Sequence, residues 1–159
     1  MSALVRSRTI EASVVIDAAP RAVWTVLTDF PRHGEWNPFI EAIEGTPREG
    51  ARLRVTMRPE PEGRPFRFSS RLLRVRPPHE LRWRGRLGVR GLLDGEHAFV
   101  LRPMPGGRTR LVQSERFSGL LVPFMDGTID ATAAAFAAMN EALRERVEGR
   151  GLLPLRRAA

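Results

Sequence analysis

The sequence has no cysteine, no tyrosine and no lysine among its 159 residues. Without cysteine there is no disulfide, no thiolate nucleophile and no Cys-ligated zinc. Without lysine, Schiff-base chemistry and the phosphate-binding P-loop are excluded, and without tyrosine there is no phenolic general acid. Any catalysis must use His, carboxylates, Ser/Thr, Arg or amides. Long apolar runs are also missing: no stretch approaches the ~20 residues that span a bilayer, and the start, MSALVRSRTIEAS, lacks the apolar segment of a secretory signal. The expectation is a soluble, cytoplasmic protein. Familiar catalytic signatures fail as well. His79-Glu80 is followed by Leu-Arg-Trp, so HExxH is absent; there is no GxSxG; and Gly149-Arg-Gly151 lacks the strand and third glycine of a dinucleotide site. The three histidines, His33, His79 and His97, are too scattered for a metal site. His33 and His79 are expected in solvated loops, and no metal or cofactor is expected.

Charge is plentiful but one-sided in its chemistry. All 26 basic residues are arginine, against 18 acidic ones, for a net charge of +8. Exclusive use of arginine is most simply a codon bias, and the arginines are spread between positions 52 and 116 rather than gathered in a tract. A solvated surface is therefore expected, without a nucleic-acid partner.

Hydrophobic residues make up 42% and charged ones 28%, an ordinary globular balance. One domain is expected over residues 1–149, followed by a polar tail over 150–159. Residues 8–16 read as a strand. Pro20 then opens a short helix that carries Val23, Trp24 and Leu27 on one face and stops near Pro31. From Arg52 the texture is alternation. Leu53, Val55 and Met57 take one parity and Arg52, Arg54 and Arg58 the other. The same parity continues through Phe66, Phe68, Ser70 and Leu72, then Leu81, Trp83 and Gly85, then His97, Phe99 and Leu101, and finally Leu111, Gln113, Glu115 and Phe117. Turn residues separate the runs at Pro59–Gly63, Pro77-Pro78, Val89–Gly91 and Pro103–Gly107. From Met125 to Glu148 the period becomes helical, with Ile129, Thr132, Phe136, Met139, Leu143 and Val147 on one stripe. The class is α+β: a curved antiparallel sheet whose one apolar face wraps a long C-terminal helix, leaving an arginine-rich outer face.

Several pieces of the chain, in order, carry a resemblance: Ala19-Pro20 with Val23-Trp24, Leu27-Thr28-Asp29, Trp36-Asn37-Pro38-Phe39, Pro77-Pro78 with Glu80-Leu81-Arg82-Trp83, His97 with Phe99, and Thr109 through Gly119. Over roughly residues 8–148 the sequence resembles the helix-grip superfamily of START lipid-transfer domains, birch-pollen-allergen-like proteins and bacterial polyketide cyclase/dehydrase-type proteins (SRPBCC). The resemblance implies two short helices after the first strand and a hydrophobic cavity between sheet and long helix. It does not fix a reaction.

A turn centred near Pro105 sets His97 opposite Gln113 and Phe99 opposite Leu111, while a hairpin around Val89–Gly91 sets Trp83 opposite His97 and Gly85 opposite Gly95. Two inner rows follow: Trp83, His97 and Gln113, then Gly85, Gly95 and Glu115. Glu115 and His97 become diagonal neighbours roughly 7 Å apart, and they are the candidate acid/base pair. Glu115 paired with an arginine, beside a merely structural His97, is the competing assignment. Trp36, Asn37, Val55, Phe68, Trp83, Phe99, Gln113, Phe117, Phe136 and Asn140 are the candidate ligand-binding residues. Asn37, before Pro38, has the alternative of closing its own turn. The apolar segment Gly119–Phe124 is expected to pack over the helix start or to cover the cavity mouth.

Three functions fit this pattern. The first is binding of a small hydrophobic or aromatic ligand, lipid or polyketide-like. The second is a cyclase or dehydratase in which Glu115 or His97 moves a proton. The third is contact of the arginine-rich face with nucleic acid or an anionic membrane. Oligomeric state is not legible.

Overall fold

The alternating runs pair into one antiparallel seven-stranded sheet: β1 (Ser7–Ile16), β2 (Ile40–Glu44), β3 (Arg52–Met57), β4 (Phe66–Arg76), β5 (Glu80–Leu87), β6 (Leu93–Met104) and β7 (Arg108–Ser118). The spatial order is β1-β7-β6-β5-β4-β3-β2, so the first strand closes beside the last and β2 forms the far edge. Between β1 and β2 lie α1 (Pro20–Thr28) and a 3₁₀ helix, η1 (Phe30–Glu35). A second 3₁₀ turn, η2 (Val122–Phe124), leads into the long helix α2 (Asp126–Glu148). This computed structural model describes residues 6–58 and 62–149; the tail from 150 and part of the expected Pro59–Gly63 turn lie outside the described residues.

Parity explains the sheet. Leu53, Val55, Leu72, Leu81, Leu101 and Leu111 point at the helix and are 0–2% exposed. Each such side chain contributes about 1.5–3 kcal/mol of burial. Ile129, Phe136, Met139 and Leu143 form the facing stripe of α2. The inner face is not equally dry along its length. At the end where β1 finishes, Ile16 and Thr109 are fully buried, whereas at the opposite end Phe39, Met57, Phe68, Leu93, Phe117 and Met125 are only half-buried.

The structure departs from these expectations, or adds to them, at five points. First, the edge strand β2 is added to the expected strands; a bulge between Ile40 and Ala42 breaks its alternation. Second, the short helix, expected to stop near Pro31, stops three residues before it. It ends at Thr28, and Pro31 sits in the first turn of η1, where a missing N–H costs nothing. Third, the β6–β7 register is displaced by two residues: His97 faces Glu115, Phe99 faces Gln113 and Leu101 faces Leu111. The β5–β6 register is as expected, with Trp83 opposite His97 and Gly85 opposite Gly95. Since two residues preserve parity, every inward side chain stays inward.

Fourth, His33 is not solvated but 0% exposed, inside η1. Its Nε2–H donates to the Leu27 carbonyl at 2.9 Å, and its ring lies 4.7 Å from that of Trp36. Burial pushes its pKa down to about 4, against the raising influence of the Leu27 bond and the Asp29 charge. The burial is possible because η1 lies tight on the backbone after β2 begins: a Cβ on Gly34 would stand 2.3 Å from the Glu41 carbonyl oxygen. His79, by contrast, is exposed in the β4–β5 turn.

Fifth, several of the outer arginines are paired with carboxylates. Arg74 and Arg82 hold Glu80, while Arg82 and Arg84 hold Glu96, the closest contacts being 2.8–2.9 Å. Burial works against the charge on both carboxylates, but the arginine hydrogen bonds outweigh it and keep Glu80 and Glu96 below the usual carboxyl range.

Candidate functional site

Three adjacent strands build the centre of the inner face. Trp83 on β5, His97 and Phe99 on β6 and Gln113 and Glu115 on β7 all carry odd numbers and therefore share one face. The two-residue shift brings Glu115 directly opposite His97 rather than diagonal to it, with Oε2 3.4 Å from Nδ1. On the other side of the ring, the Gln113 amide nitrogen lies 3.0 Å from His97 Nε2. The imidazole is therefore held at both ring nitrogens, by the Glu115 carboxylate at Nδ1 and the Gln113 amide at Nε2. The arginine pairing considered for Glu115 is replaced by this histidine contact.

Aromatic rings enclose His97. Trp83 stacks on it with centroids 5.0 Å apart, Phe99 lies at 4.6 Å, and Phe136 of α2 approaches edge-on at 4.8 Å. Met139, one turn further along α2, places its sulfur 3.8 Å from the Gln113 amide nitrogen. Met139 belongs to the core stripe of α2, and its contact with Gln113 adds it to the site. Its helical spacing from Phe136 was the available signal.

Exposure within the pair is unequal. The His97 side chain is 7% exposed and that of Glu115 is 19%. Glu115 is thus the end of the pair that an incoming molecule meets, and His97 stands behind it. Gly95 makes this arrangement possible, since a Cβ there would lie 2.5 Å from Glu115 Oε1. The expected row of Gly85, Gly95 and Glu115 becomes Gly85, Gly95 and Phe117. The carboxylate still reaches over Gly95.

The remaining candidates divide. Val55 is fully buried and pairs with the half-buried Phe68, whose ring would lie 3.6 Å from a Cβ on Gly85. Trp36 packs on His33 rather than on the His97 group. Asn37 closes its own turn, accepting from the N–H groups of Phe39 and Ile40 at 2.9 Å. Asn140 is 2% exposed. Buried polar atoms remain without a protein partner among the described residues: Gln113 Oε1, Ser70 Oγ and the amide nitrogens of Asn37 and Asn140. Ser70 was read only as a strand residue. Its inward parity was the signal.

The expected open space between sheet and helix is corrected at its centre, where Trp83, Phe99 and Phe136 pack against His97. Concavities of about 320 and 270 Å³ lie elsewhere, on the outer face around Arg84 and Arg86. Among the described residues, no three His, Asp or Glu side chains are grouped to hold a metal. No helix among them is long and apolar enough to cross a membrane.

A sheet curved around a C-terminal helix, with short helices after the first strand, defines a helix-grip protein. Residues 7–148 match the family described as polyketide cyclase/dehydrase and lipid transport, and the chain belongs to that family. The fold is shared with solved structures of low sequence identity. A Streptomyces structure, the Zhui aromatase/cyclase, is 19% identical with a TM-score of 0.71, covering 93% of this chain and 98% of its own. A point mutant of norcoclaurine synthase from Thalictrum flavum is 17% identical with a TM-score of 0.73, over 95% of this chain and all of the other. A Staphylococcus aureus protein of unknown function is 12% identical with a TM-score of 0.73, covering 92% and 97%. No curated protein matches the sequence.

Proposed function

We propose that the chain binds a small hydrophobic or aromatic ligand, lipid or polyketide-like, on the inner face of its sheet. The ligand enters from the end where Phe68, Leu93 and Phe117 are half-buried. The observation that carries this reading is a carboxylate, Glu115, held by His97 on a largely apolar, aromatic-rich face and turned towards that less buried end. Family membership supports it. The packed centre makes binding an act of opening: the rings around His97 must part, so the ligand replaces aromatic contacts it is itself able to make.

A cyclase or dehydratase reading is favoured by one specific contact. His97 Nδ1 faces Glu115 Oε2, so the imidazole orients the carboxylate that would take the proton leaving the ligand, with the ligand keeping the electron pair. The aromatase/cyclase and the norcoclaurine synthase that share the fold make such chemistry a consistent alternative.

Native mass spectrometry of freshly purified protein tests the first reading. A retained apolar small molecule is expected, and its absence together with failure to bind a panel of fatty acids and polycyclic aromatics would overturn it. Glu115→Gln then separates the two. In a binder, affinity for a neutral ligand stays within a few fold. In an enzyme, turnover falls by about a hundredfold or more with binding retained.

A further inference from the structure

Among the described residues, the exposed large hydrophobic side chains all lie at one end of the fold. Phe66 is 47% exposed, Val89 73%, Leu120 65% and Phe124 84%. Phe66 opens β4 and Val89 sits in the β5–β6 turn; continuing the β4–β5 register brings the two strands' ends together there. The Leu120 N–H donates to the Gly91 carbonyl at 3.0 Å, which fastens the segment after β7 to the same turn. Arg8 in β1 binds Asp126 and Asp130, fixing η2 and the start of α2 at this end as well. The apolar segment Gly119–Phe124 therefore does not simply pack or cover. Val122 turns inward at 4% exposure, while Leu120 and Phe124 project outward.

Arginines surround these tips. Arg64, Arg67, Arg90 and Arg116 are exposed and have no ion pair among the described residues. Behind them runs the outer groove of about 270 Å³, in which Arg84 and Arg86 are paired with Glu96 and Asp94 while Arg90 and Arg116 are left without a carboxylate among the described residues. Apolar side chains projecting beside unpaired guanidinium groups match a layer with apolar interior and anionic surface, since the tips enter the acyl boundary while the arginines meet phosphate oxygens. A second copy of the chain would bring the same positive charge to the contact. A nucleic acid would leave Val89 and Leu120 without a stacking role.

We propose that this end of the molecule docks on an anionic lipid surface, with Leu120 and Phe124 inserted and Arg67 and Arg90 on the headgroups. The proposal does not depend on the ligand reading, because vesicle binding is measured without any ligand. The test is co-sedimentation of the full chain with vesicles of phosphatidylcholine alone or mixed with phosphatidylglycerol. Partitioning to the mixed vesicles is expected to be at least about tenfold stronger, and to weaken as salt is raised. Leu120→Ser with Phe124→Ser should lower it by about tenfold. Arg67→Gln with Arg90→Gln should lower it by roughly thirtyfold and remove the lipid preference. All four side chains are exposed, so an unchanged thermal midpoint and circular dichroism spectrum will show that both variants fold. Equal binding to the two vesicle types, no effect of either pair, or tighter binding to an oligonucleotide than to mixed vesicles at the same salt would overturn the proposal.

Discussion

A pH titration of stability isolates His33, because its protonation is opposed by the fold itself. The ring is 0% exposed, and burial lowers its pKa from 6.5 to about 4. The unfolded chain therefore binds a proton between those values that the folded chain refuses. Stability is complete above pH 6.5, declines as pH falls, and has lost the whole contribution below about pH 4. One pH unit of difference corresponds to ~1.4 kcal/mol, so the full loss is about 3 kcal/mol, of which about 2 kcal/mol is gone by pH 5. Glu80 and Glu96 contribute in a lower window. Their folded pKa values are depressed, so that stability is lost only as pH falls below about 4.5. Urea unfolding at pH 7.5 and 5, followed by tryptophan emission, should show the midpoint drop by roughly 1 M in the native protein. His33→Gln retains a donor for the Leu27 carbonyl but cannot be protonated. Its stability should be lower at neutral pH and much flatter between pH 7.5 and 5. If native protein and variant lose stability equally over that interval, the acid sensitivity does not come from His33.

Gly95→Ala should fold with a loss below about 1 kcal/mol, because the added Cβ meets only the flexible end of Glu115; a crystal structure should show that carboxylate moved off His97. Phe136→Ala removes a 4%-exposed ring from above His97 and should cost about 3–5 kcal/mol in chemical denaturation. Arg82→Glu puts a third carboxylate beside Glu80 and Glu96 and should cost about 1–2 kcal/mol, whereas Arg67→Glu, exposed and unpaired among the described residues, should stay within about 0.5 kcal/mol; matched thermal scans distinguish them.

What the sequence made legible was parity. Alternation of Leu, Val and Phe with Arg assigns each side chain to a face, and the face of Trp83, His97, Gln113 and Glu115 was readable for that reason. Register was not readable to the same degree, because it depends on where a turn is centred. The stretch Pro103–Gly107 contains two glycines, and both adopt positive φ, 81° at Gly106 and 70° at Gly107. That choice moves the centre of the turn one residue beyond Pro105 and each pairing by two. Glu115 consequently changes from a diagonal neighbour of His97 to its direct partner while remaining on the same face.

Burial of polar groups was less legible still. A run such as Phe30–Glu35 with Arg, His, Gly and Glu has the composition of a solvated loop, and nothing local marks His33 for the interior. Its burial goes with the close approach of η1 to the backbone of Glu41 in the next strand, which the absent side chain of Gly34 permits. The exposed tips show the converse. Leu120 and Phe124 have the composition of core residues, yet hydrogen bonds of the 120 and 121 N–H groups to Gly91 and Leu92 hold their segment along the β5–β6 turn, so that only Val122 reaches the interior. In both segments a close backbone approach to another element decides which side chains water sees. Residue type alone therefore placed the inner face of the strands correctly and misplaced the residues of the two connecting segments.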